Sequence, residues 1–278
     1  IRVPGDKSIS HRSIMLGSIA EGVTEVTGFL EGEDALATLQ AFRDMGVVIE
    51  GPERGRVRVH GVGLHGLKPA PGPLYVGNSG TSMRLLSGIL SAQPFDTVMT
   101  GDASLAKRPM ERIAKPLRLM GADIQTTGER GTPPVSVHGT STAAKGGLKG
   151  IHYDMPVASA QVKSGVLLAG LWADGETSVT EPAPTRDHTE RMLKGFGYEV
   201  KVQGATATLR GGGKLTATKI DVPSDISSAA FFLVAASIAP NSDLTLEHVG
   251  INPTRVGVIN ILKAMGGNLE VFNEREIG

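Results

Sequence analysis

The 278-residue sequence predicts an α/β fold of repeated βαβαββ units, with apolar helices buried inside and sheets outside. The first observation is a helix-start motif that returns at intervals of about 70 residues, a spacing typical of repeat architectures. The second is a glycine after a Met or Phe at the end of a later helix in each repeat, which suits a left-handed C-cap. The four helix starts read VPGDKSISHR from Val3, VGNSGTSMR from Val76, MPVASAQVK from Met155 and VPSDISSAA from Val222.

Each repeat places its elements in the same order. A short β-type run leads into a helix of small apolar residues, and a second strand follows. The next helix is amphipathic, as the i, i+3 spacing of Leu36, Leu39 and Phe42 indicates, and one or two β-runs close the unit. The predicted lead-in runs are 1–3, 74–76, 151–155 and 220–222, and the predicted first helices are 10–20, 81–92, 160–173 and 227–239.

The composition of the helices predicts the domain organisation. The first helix of each unit is apolar nearly all round and should be buried, whereas the amphipathic helix should face solvent. Three units are expected to surround one core. A repeat needs neighbours to bury its apolar face, so a lone fourth unit is incomplete. We therefore predict one domain over 1–218 and the opening of a second over 219–278, in a chain cut at both ends.

Composition and charge exclude several classes of protein. Lys and Arg total 28 and so do Asp and Glu, and aromatic residues make up 4%, which argues against nucleic-acid binding. Without cysteine there is no disulfide, thiolate nucleophile or Cys-ligated zinc. The longest apolar run, 229–238, is about half of what a bilayer requires. The histidines lack ligand spacing, so no metal is predicted, and a cytoplasmic monomer is expected.

The first helix start carries cations where a helix by itself disfavours them. Lys7 lies at the predicted N-terminus and Arg12 about one turn inside, with Ser8 between them. The partial positive charge of a helix N-terminus repels cations unless an anion is bound. This favours an anion site over the alternative of ordinary solvated charges.

The second unit contributes two further groups of candidate ligand-binding residues. In 77–81, two glycines allow close backbone approach to a ligand, although an ordinary strand-to-helix turn is the better reading of this string alone. Arg84 could be a ligand group or structural. Pro109 suits a first helical position, which would leave Arg108 beside free amides, ready to grip a carboxylate or phosphate with two bonds. Lys107 is expected to be solvated.

The third and fourth units add weaker candidates. Ser159 and Gln161 offer a hydroxyl and an amide suited to a ligand's hydroxyl groups. Arg186 is the preferred site residue of its segment, since capping and surface charge explain its acidic and histidine neighbours Asp187, His188 and Glu190. In the fourth unit Asp225 is favoured as a helix cap over an acid or base, and Arg255 could add another cation.

Taken together these strings resemble a known family. PGDKSISHR, GNSGTSMR, KRPM, ASAQVKS, TRDHTE and NPTR occur in the order and spacing of the 5-enolpyruvylshikimate-3-phosphate synthases, which are enolpyruvyl transferases. The resemblance covers the whole chain. It implies two domains of three units each, with a cleft between them that closes on ligands. It also implies that the 5-hydroxyl of shikimate 3-phosphate adds to phosphoenolpyruvate, after which phosphate leaves, without a metal or organic cofactor.

The resemblance also assigns residues. Lys7 is implied as catalytic, and the family's acid and base carboxylates would lie beyond residue 278, so this chain alone should not turn over. Phosphoenolpyruvate ligands are implied at Lys7, Gly80, Arg108 and Gln161, with Asn78 and Thr81 beside them. Ligands of shikimate 3-phosphate are implied at Lys7, Ser8, Arg12, Ser159, Ala160, Gln161 and Arg186.

Gly80 stands where glyphosate-tolerant relatives carry Ala, so the intact enzyme is expected to be sensitive to glyphosate. Ser79 and Ser82 replace alanines found in some relatives. Two alternatives stay open. One is the related transferase acting on UDP-N-acetylglucosamine, although its Cys-bearing loop is absent and KRPM occupies the comparable region. The other is a non-catalytic fragment that only binds anions.

Overall fold

The computed structural model describes residues 1–276 and confirms the α/β architecture, with three four-stranded sheets around buried helices. The strands are β1 (Glu21–Thr27), β2 (Val48–Glu53), β3 (Arg56–Val62), β4 (Leu74–Tyr75), β5 (Asp96–Thr100), β6 (Ile124–Thr126), β7 (Val135–His138), β8 (His152–Asp154), β9 (Glu176–Thr180), β10 (Lys201–Gln203), β11 (Thr206–Arg210) and β12 (Lys219–Asp221). The helices are α1 (Lys7–Ile19), α2 (Glu33–Asp44), α3 (Gly80–Ser91), α4 (Glu111–Leu119), α5 (Gly139–Ala144), α6 (Ala160–Gly170), α7 (His188–Gly195), α8 (Ile226–Ile238) and α9 (Gly257–Ala264), with 3₁₀ turns at Leu105–Lys107 and Glu129–Gly131.

The three sheets share one topology. Their strand orders are β12-β1-β3-β2, β4-β5-β7-β6 and β8-β9-β11-β10. In each, a short lead-in strand runs parallel to the second strand, and the remaining pairs are antiparallel. This repetition is the structural counterpart of the sequence repeat, and the mostly buried helices α1, α3 and α6 lie inside the molecule.

The lead-in strand of the first sheet differs from the prediction. It comes from β12, whose residues pair with Glu25–Thr27 of β1, and not from 1–3. The first residues lie against the fourth unit instead, where the amide of Asp225 donates to the carbonyl of Pro4 at 2.8 Å and Val3 packs beside Ile226. A short apolar run fixes strand propensity but not its partner, so sequence could not show this exchange. The division at 218/219 stays a prediction.

Close packing of the first helices follows from small residues, as predicted. α3 and α6 touch through their glycines, since a Cβ on Gly88 would lie 2.1 Å from the carbonyl oxygen of Gly165. α1, α3 and α6 are buried along most of their length. α8 is not, because only Ile226 and Ala229 are buried in it, so the prediction of burial is wrong for the fourth unit. Within residues 1–276, no helix has both the length and the apolar content to span a bilayer.

Candidate functional site

The start of α1 presents Lys7 at its first turn. Asp6 is the N-cap and accepts a hydrogen bond from the amide of Ile9 at 2.9 Å. The side chain of Lys7 is 48% exposed, and its ammonium pairs with Asp34 of α2. The cation is therefore held at the helix mouth by a carboxylate from the neighbouring helix, while half of its surface stays open to a ligand.

Arg12 is buried one turn further along α1. Its Nε donates to Thr189 Oγ1 at 2.8 Å, and its Nη2 donates to Ser164 Oγ at 3.0 Å. Its Nη1 donates to the carbonyl of Ser8 at 3.0 Å. Burial lowers the pKa of Arg12 to about 10, opposed by the negative charge of Glu190, so the guanidinium stays charged at neutral pH. These contacts join the first unit to α6 and α7 of the third.

Gly80 opens α3 between two guanidinium groups. Ser79 caps the helix by accepting from the amide of Ser82 at 3.0 Å. A Cβ on Gly80 would lie 2.9 Å from Arg84 Nη1 and 3.2 Å from Arg108 Nη1. Both terminal nitrogens thus surround one point at a helix N-terminus. A side chain there would displace them, whereas glycine leaves that space to a ligand.

Arg108 is held by a relay of polar side chains. Its Nη2 donates to Asn78 Oδ1, and Asn78 Nδ2 donates to Asp102 Oδ2 at 2.8 Å. Asp102 in turn accepts from the amide of Leu105 at 2.7 Å, which lowers the pKa of its carboxyl. The orientation of Arg108 is therefore determined by Asn78, a residue of the glycine-rich turn.

The prediction that Pro109 opens a helix is wrong, because α4 begins at Glu111 after the N-cap Met110. Arg108 has extended backbone dihedrals, as expected for a residue before proline. The carbonyl of Pro109 accepts from Arg84 Nη2 at 3.1 Å. Arg84 is thus anchored at the site and is not simply a residue of the helix surface.

The start of α6 brings the third unit to the same place. Ser159 is the N-cap and accepts from the amide of Val162 at 3.3 Å, and Ala160 is the first helical residue. Gln161 Nε2 donates to Thr81 Oγ1 at 2.7 Å, and its Oε1 accepts from Arg84 Nη1. Gln161 therefore links the helix starts of α3 and α6.

Arg186 is exposed just before α7, near other charged groups. Its pKa is lowered by partial burial and by the charge of Arg255, while Asp6 and Asp225 oppose the shift. Its neighbours differ from the prediction of surface charge, since His188 and Glu190 are 4% exposed.

Packing of α7 against α1 explains this burial of α7 residues. Burial lowers the pKa of His188 to about 3, with the charge of Arg12 acting in the same direction. The capping prediction for Asp187 is also wrong, because its carboxylate accepts from Arg191 Nε and Asn252 Nδ2, both at 2.8 Å, and makes no capping bond.

The fourth unit meets the first at two helix N-caps. Asp225 caps α8 through the amide of Ser227 at 2.8 Å, as favoured from sequence, and also accepts from the amide of Lys7 at 3.1 Å. Arg255 lies between the caps, with Nη1 3.3 Å from Asp6 Oδ2 and Nη2 3.2 Å from Asp225 Oδ1. Its side chain is 7% exposed. Arg255 is thus paired with carboxylates at a junction between units.

Hydrogen bonds therefore join the helices that carry the predicted site residues: α1 to α3 through His11 and Ser82, α1 to α6 through Arg12 and Ser164, and α3 to α6 through Arg84 and Gln161. Arg84 and Arg108 form no salt bridge with a carboxylate in the described part of the chain, and helix N-termini supply further positive potential. Such an arrangement is chemically suited to multiply charged anions. No group of three His, Cys, Asp or Glu side chains suited to a metal occurs within 1–276.

Comparison with known proteins agrees with this geometry. The sequence model of EPSP synthase (3-phosphoshikimate 1-carboxyvinyltransferase) matches residues 1–277. The chain belongs to the EPSP synthase family. It is 67% identical to a 3-phosphoshikimate 1-carboxyvinyltransferase of Methylococcus capsulatus and 64% identical to one of Alkalilimnicola ehrlichii, over all of this chain and 62% and 61% of those proteins. A solved EPSP synthase from Acinetobacter baumannii superposes with a TM-score of 0.92 at 72% identity, covering 100% of this chain and 62% of that one.

The chain thus spans about three-fifths of the length of the relatives that it matches. Within the family fold, sequence reasoning left Arg84 undecided and gave Lys163 no role, although both lie beside the predicted ligand groups. The only available signal for Arg84 was its place one turn after the glycine-rich turn. Lys163 had no signal beyond its occurrence in ASAQVKS, because a buried lysine looks like a solvated one in sequence.

Proposed function

We propose that the protein carrying this chain transfers the enolpyruvyl group of phosphoenolpyruvate to the 5-hydroxyl of shikimate 3-phosphate and releases phosphate. The observation that carries the proposal is the convergence of Arg84 and Arg108 beside Gly80 at the N-terminus of α3, which Gln161 links to the N-terminus of α6. Two substrates that are each multiply anionic repel one another, and such a cluster would offset that repulsion. The names of the relatives describe the same reaction.

The acceptor would lie on the side formed by α1, α6 and the segment before α7. Arg12 and Arg186 would neutralise its phosphate and carboxylate, and the amides at the start of α6 would add hydrogen bonds. Ser159 and Gln161 carry polar groups suited to its hydroxyls. The acceptor ligands that we propose are Lys7, Ser8, Arg12, Ser159, Ala160, Gln161 and Arg186.

Phosphoenolpyruvate would occupy the space beside Gly80. Arg84 and Arg108 converge there, and fixed cations stabilise charge that develops on the phosphate as it leaves. Lys7 would act as the catalytic cation beside the enol, where the methylene gains a proton during addition. Asn78 orients Arg108, and Thr81 orients Gln161, so both act on this half of the site.

The reaction forms a carbon–oxygen bond between the 5-hydroxyl and the enol carbon and breaks the carbon–oxygen bond to phosphate, and the proton that the methylene gains on addition is balanced by one lost on elimination, so no redox group is required. Holding both substrates in reactive orientation is the main contribution of such a site. We propose that the enzyme works without a metal or organic cofactor and, separately, that it is a cytoplasmic monomer. Sedimentation at several concentrations would test the monomer, and a concentration-dependent mass would contradict it.

The central test measures phosphate release from the two substrates. The 278-residue chain should bind shikimate 3-phosphate in calorimetry without releasing phosphate, and the chain extended to the length of its relatives should turn over. Turnover by the 278-residue chain would contradict the proposed need for the rest of the protein. Binding by the extended chain without turnover would favour the anion-binding fragment, and turnover with UDP-N-acetylglucosamine as the acceptor would favour the related transferase.

Inhibition by glyphosate tests the phosphoenolpyruvate-binding half of the proposed site. We propose that the extended enzyme is glyphosate-sensitive and that Gly80→Ala raises the inhibitory concentration about 10- to 100-fold, the size expected of one overpacked methyl group. The new Cβ would push against the ends of Arg84 and Arg108. The KM for phosphoenolpyruvate should rise as well. Gly72→Ala, where a Cβ would meet nothing within 4 Å, is the control and should leave inhibition unchanged, whereas an unchanged inhibition curve in Gly80→Ala would refute the assignment.

A further inference from the structure

Lys163 holds a buried positive charge that the proposed reaction does not use. It lies in the first turn of α6, and its side chain is 3% exposed. Its Nζ lies 2.7 Å from Glu190 Oε1 in α7 and 3.2 Å from Glu181 Oε2 after β9. The two carboxylates are 5% and 12% exposed. Three charged groups are thus enclosed where an apolar cluster would also fill the space.

Such a buried ionic group is weak evidence for stability. Removing charges from water is costly, and well-packed apolar side chains of similar volume often stabilise a protein at least as well. Glu190 Oε2 has no hydrogen-bond partner among the described residues, which makes the arrangement less favourable still. The presence of this ionic group is therefore better explained by the segments whose positions it fixes than by its contribution to stability.

Glu181 extends the contact of Lys163 to the segment carrying Arg186. Glu181 accepts from the amide of Thr185 at 3.3 Å and from its hydroxyl at 2.5 Å. Glu190 lies on the other side of Arg186, in the first turn of α7. Lys163 consequently fastens both ends of the 181–190 segment to α6. The N-terminus of that same helix carries Ser159 and Gln161.

A second pair of residues next to the ions holds Arg12. Thr189 donates to Ser164 Oγ at 2.7 Å, and these two residues neighbour Glu190 and Lys163 in sequence. Arg12 donates to both of their hydroxyl groups, at 2.8 and 3.0 Å. The position of the Arg12 guanidinium therefore depends on how α6 and α7 are aligned. Lys163 and Glu190 supply the only salt bridge that joins these two helices within residues 1–276.

We propose that Lys163 is a positioning residue, which aligns Arg12 and Arg186 for a phosphorylated, carboxylated acceptor. The proposal rests on the function proposed above and assigns to the acceptor side a determinant that touches no ligand. Arg84 and Arg108 lie outside this ionic group, so binding of the second substrate should depend on Lys163 much less. A purely structural role would not separate the two substrates in this way.

The test uses the chain extended to the length of its relatives and compares both Michaelis constants. Lys163→Met should raise the KM for shikimate 3-phosphate about 10- to 100-fold, as expected when a binding group is misplaced by about 1 Å. The KM for phosphoenolpyruvate should change by less than about 3-fold. Lys194→Met removes an exposed lysine from α7 and should leave both constants unchanged.

A double variant separates positioning from stability. Lys163→Met combined with Glu190→Leu replaces the closer ion pair by apolar groups and leaves only Glu181, which is 12% exposed, without its cation, so its urea midpoint should lie above that of Lys163→Met alone. We expect its acceptor KM to stay raised. An acceptor KM equal to the parent's in this variant would overturn the proposal, and so would a double variant that cannot fold, because the pair would then serve the fold itself. Absence of turnover in the parent would instead refute the proposed function, and this inference with it.

Discussion

The buried helices α3 and α6 and the exposed helix α8 have similar compositions but different surroundings. Ile89 in α3 is fully buried, whereas Ile238 in α8 is 78% exposed and Phe231 is 79% exposed. Within residues 1–276, α8 packs against α9 and Val3, while α3 and α6 pack against each other and against α4. A helix that is apolar all round requires neighbours on every side, and the fourth unit supplies few of them.

The cations of the two regions differ in the same way. Arg255, beside the start of α8, is paired with Asp6 and Asp225. Arg84 and Arg108, beside α3, have amide and carbonyl partners. A paired guanidinium has little positive charge left for a ligand, whereas one with neutral partners keeps it. The comparison therefore favours the three complete units over the fourth for the proposed anion binding, while Arg255 links the fourth unit to the first.

Loss of that link should have the largest effect. Arg255→Met leaves Asp6 and Asp225 buried without a cation and should lower the free energy of unfolding by about 3–5 kcal/mol. Urea denaturation would measure this. Arg275→Met is the matched control, since that exposed arginine lies 3.7 Å from Asp221 and should contribute less than about 1 kcal/mol. Equal midpoints for the parent and Arg255→Met would show that the two regions are not coupled through this residue.

Truncation of one isoleucine in each region tests the burial difference. Ile89→Ala should cost about 2–5 kcal/mol because it creates a cavity between packed helices. Ile238→Ala should change the free energy of unfolding by less than about 0.5 kcal/mol. Thermal and urea denaturation of the 278-residue chain would measure both. Similar losses in the two variants would mean that α8 is covered in solution, and the contrast between the regions would disappear.

Sequence predicted the repeat well because its signals are local. Helix starts, caps and small-residue helices can be recognised from short sequence motifs. Ser79 and Asp225 cap their helices, as the capping preferences of Ser and Asp predict. The exchange of 1–3 for β12 could not be predicted, because the choice between two equivalent strand partners depends on the whole fold. The exposure of α8 was missed for a similar reason, since the burial of a helix depends on its packing partners, which a local sequence motif does not reveal.

The residue types of the proposed site were visible in the sequence, whereas their contacts were not. Lys7 was proposed because a cation at a helix start is unusual, and Arg186 because capping and surface charge explained its neighbours. Glu190 and His188 were taken for surface groups because their segment is polar, and only the packing of α7 on α1 and α6 buries them. Buried ion pairs join residues that are distant in sequence, so one sequence carries no signal for them.

Replacing one glycine by alanine in each region should change the free energy of unfolding in opposite directions. Gly88→Ala in α3 would bring Cβ to 2.1 Å from the backbone oxygen of Gly165, which cannot move freely, and should destabilise by about 1–3 kcal/mol. Gly257→Ala in α9 meets nothing within 4 Å and should stabilise the helix by up to about 1 kcal/mol. Urea midpoints would decide. Equal stability of the two variants would contradict the close helix contact.

Acidification should lower the free energy of unfolding of the three-unit region through His11. The loss per pH unit should be smaller than the largest losses expected for the substitutions above. Burial, with the charges of Lys7 and Arg12, lowers the pKa of His11 from 6.5 to about 3, so the unfolded chain binds a proton that the folded chain does not. Stability is complete above pH 6.5 and falls toward pH 3, by at most about 1.4 kcal/mol per pH unit for this residue. His11→Asn should reduce the slope measured by urea denaturation between pH 4 and 7 and leave the similar contribution of His188, whose pKa burial also lowers to about 3. An unchanged slope would show that His11 is accessible to protons in the folded protein.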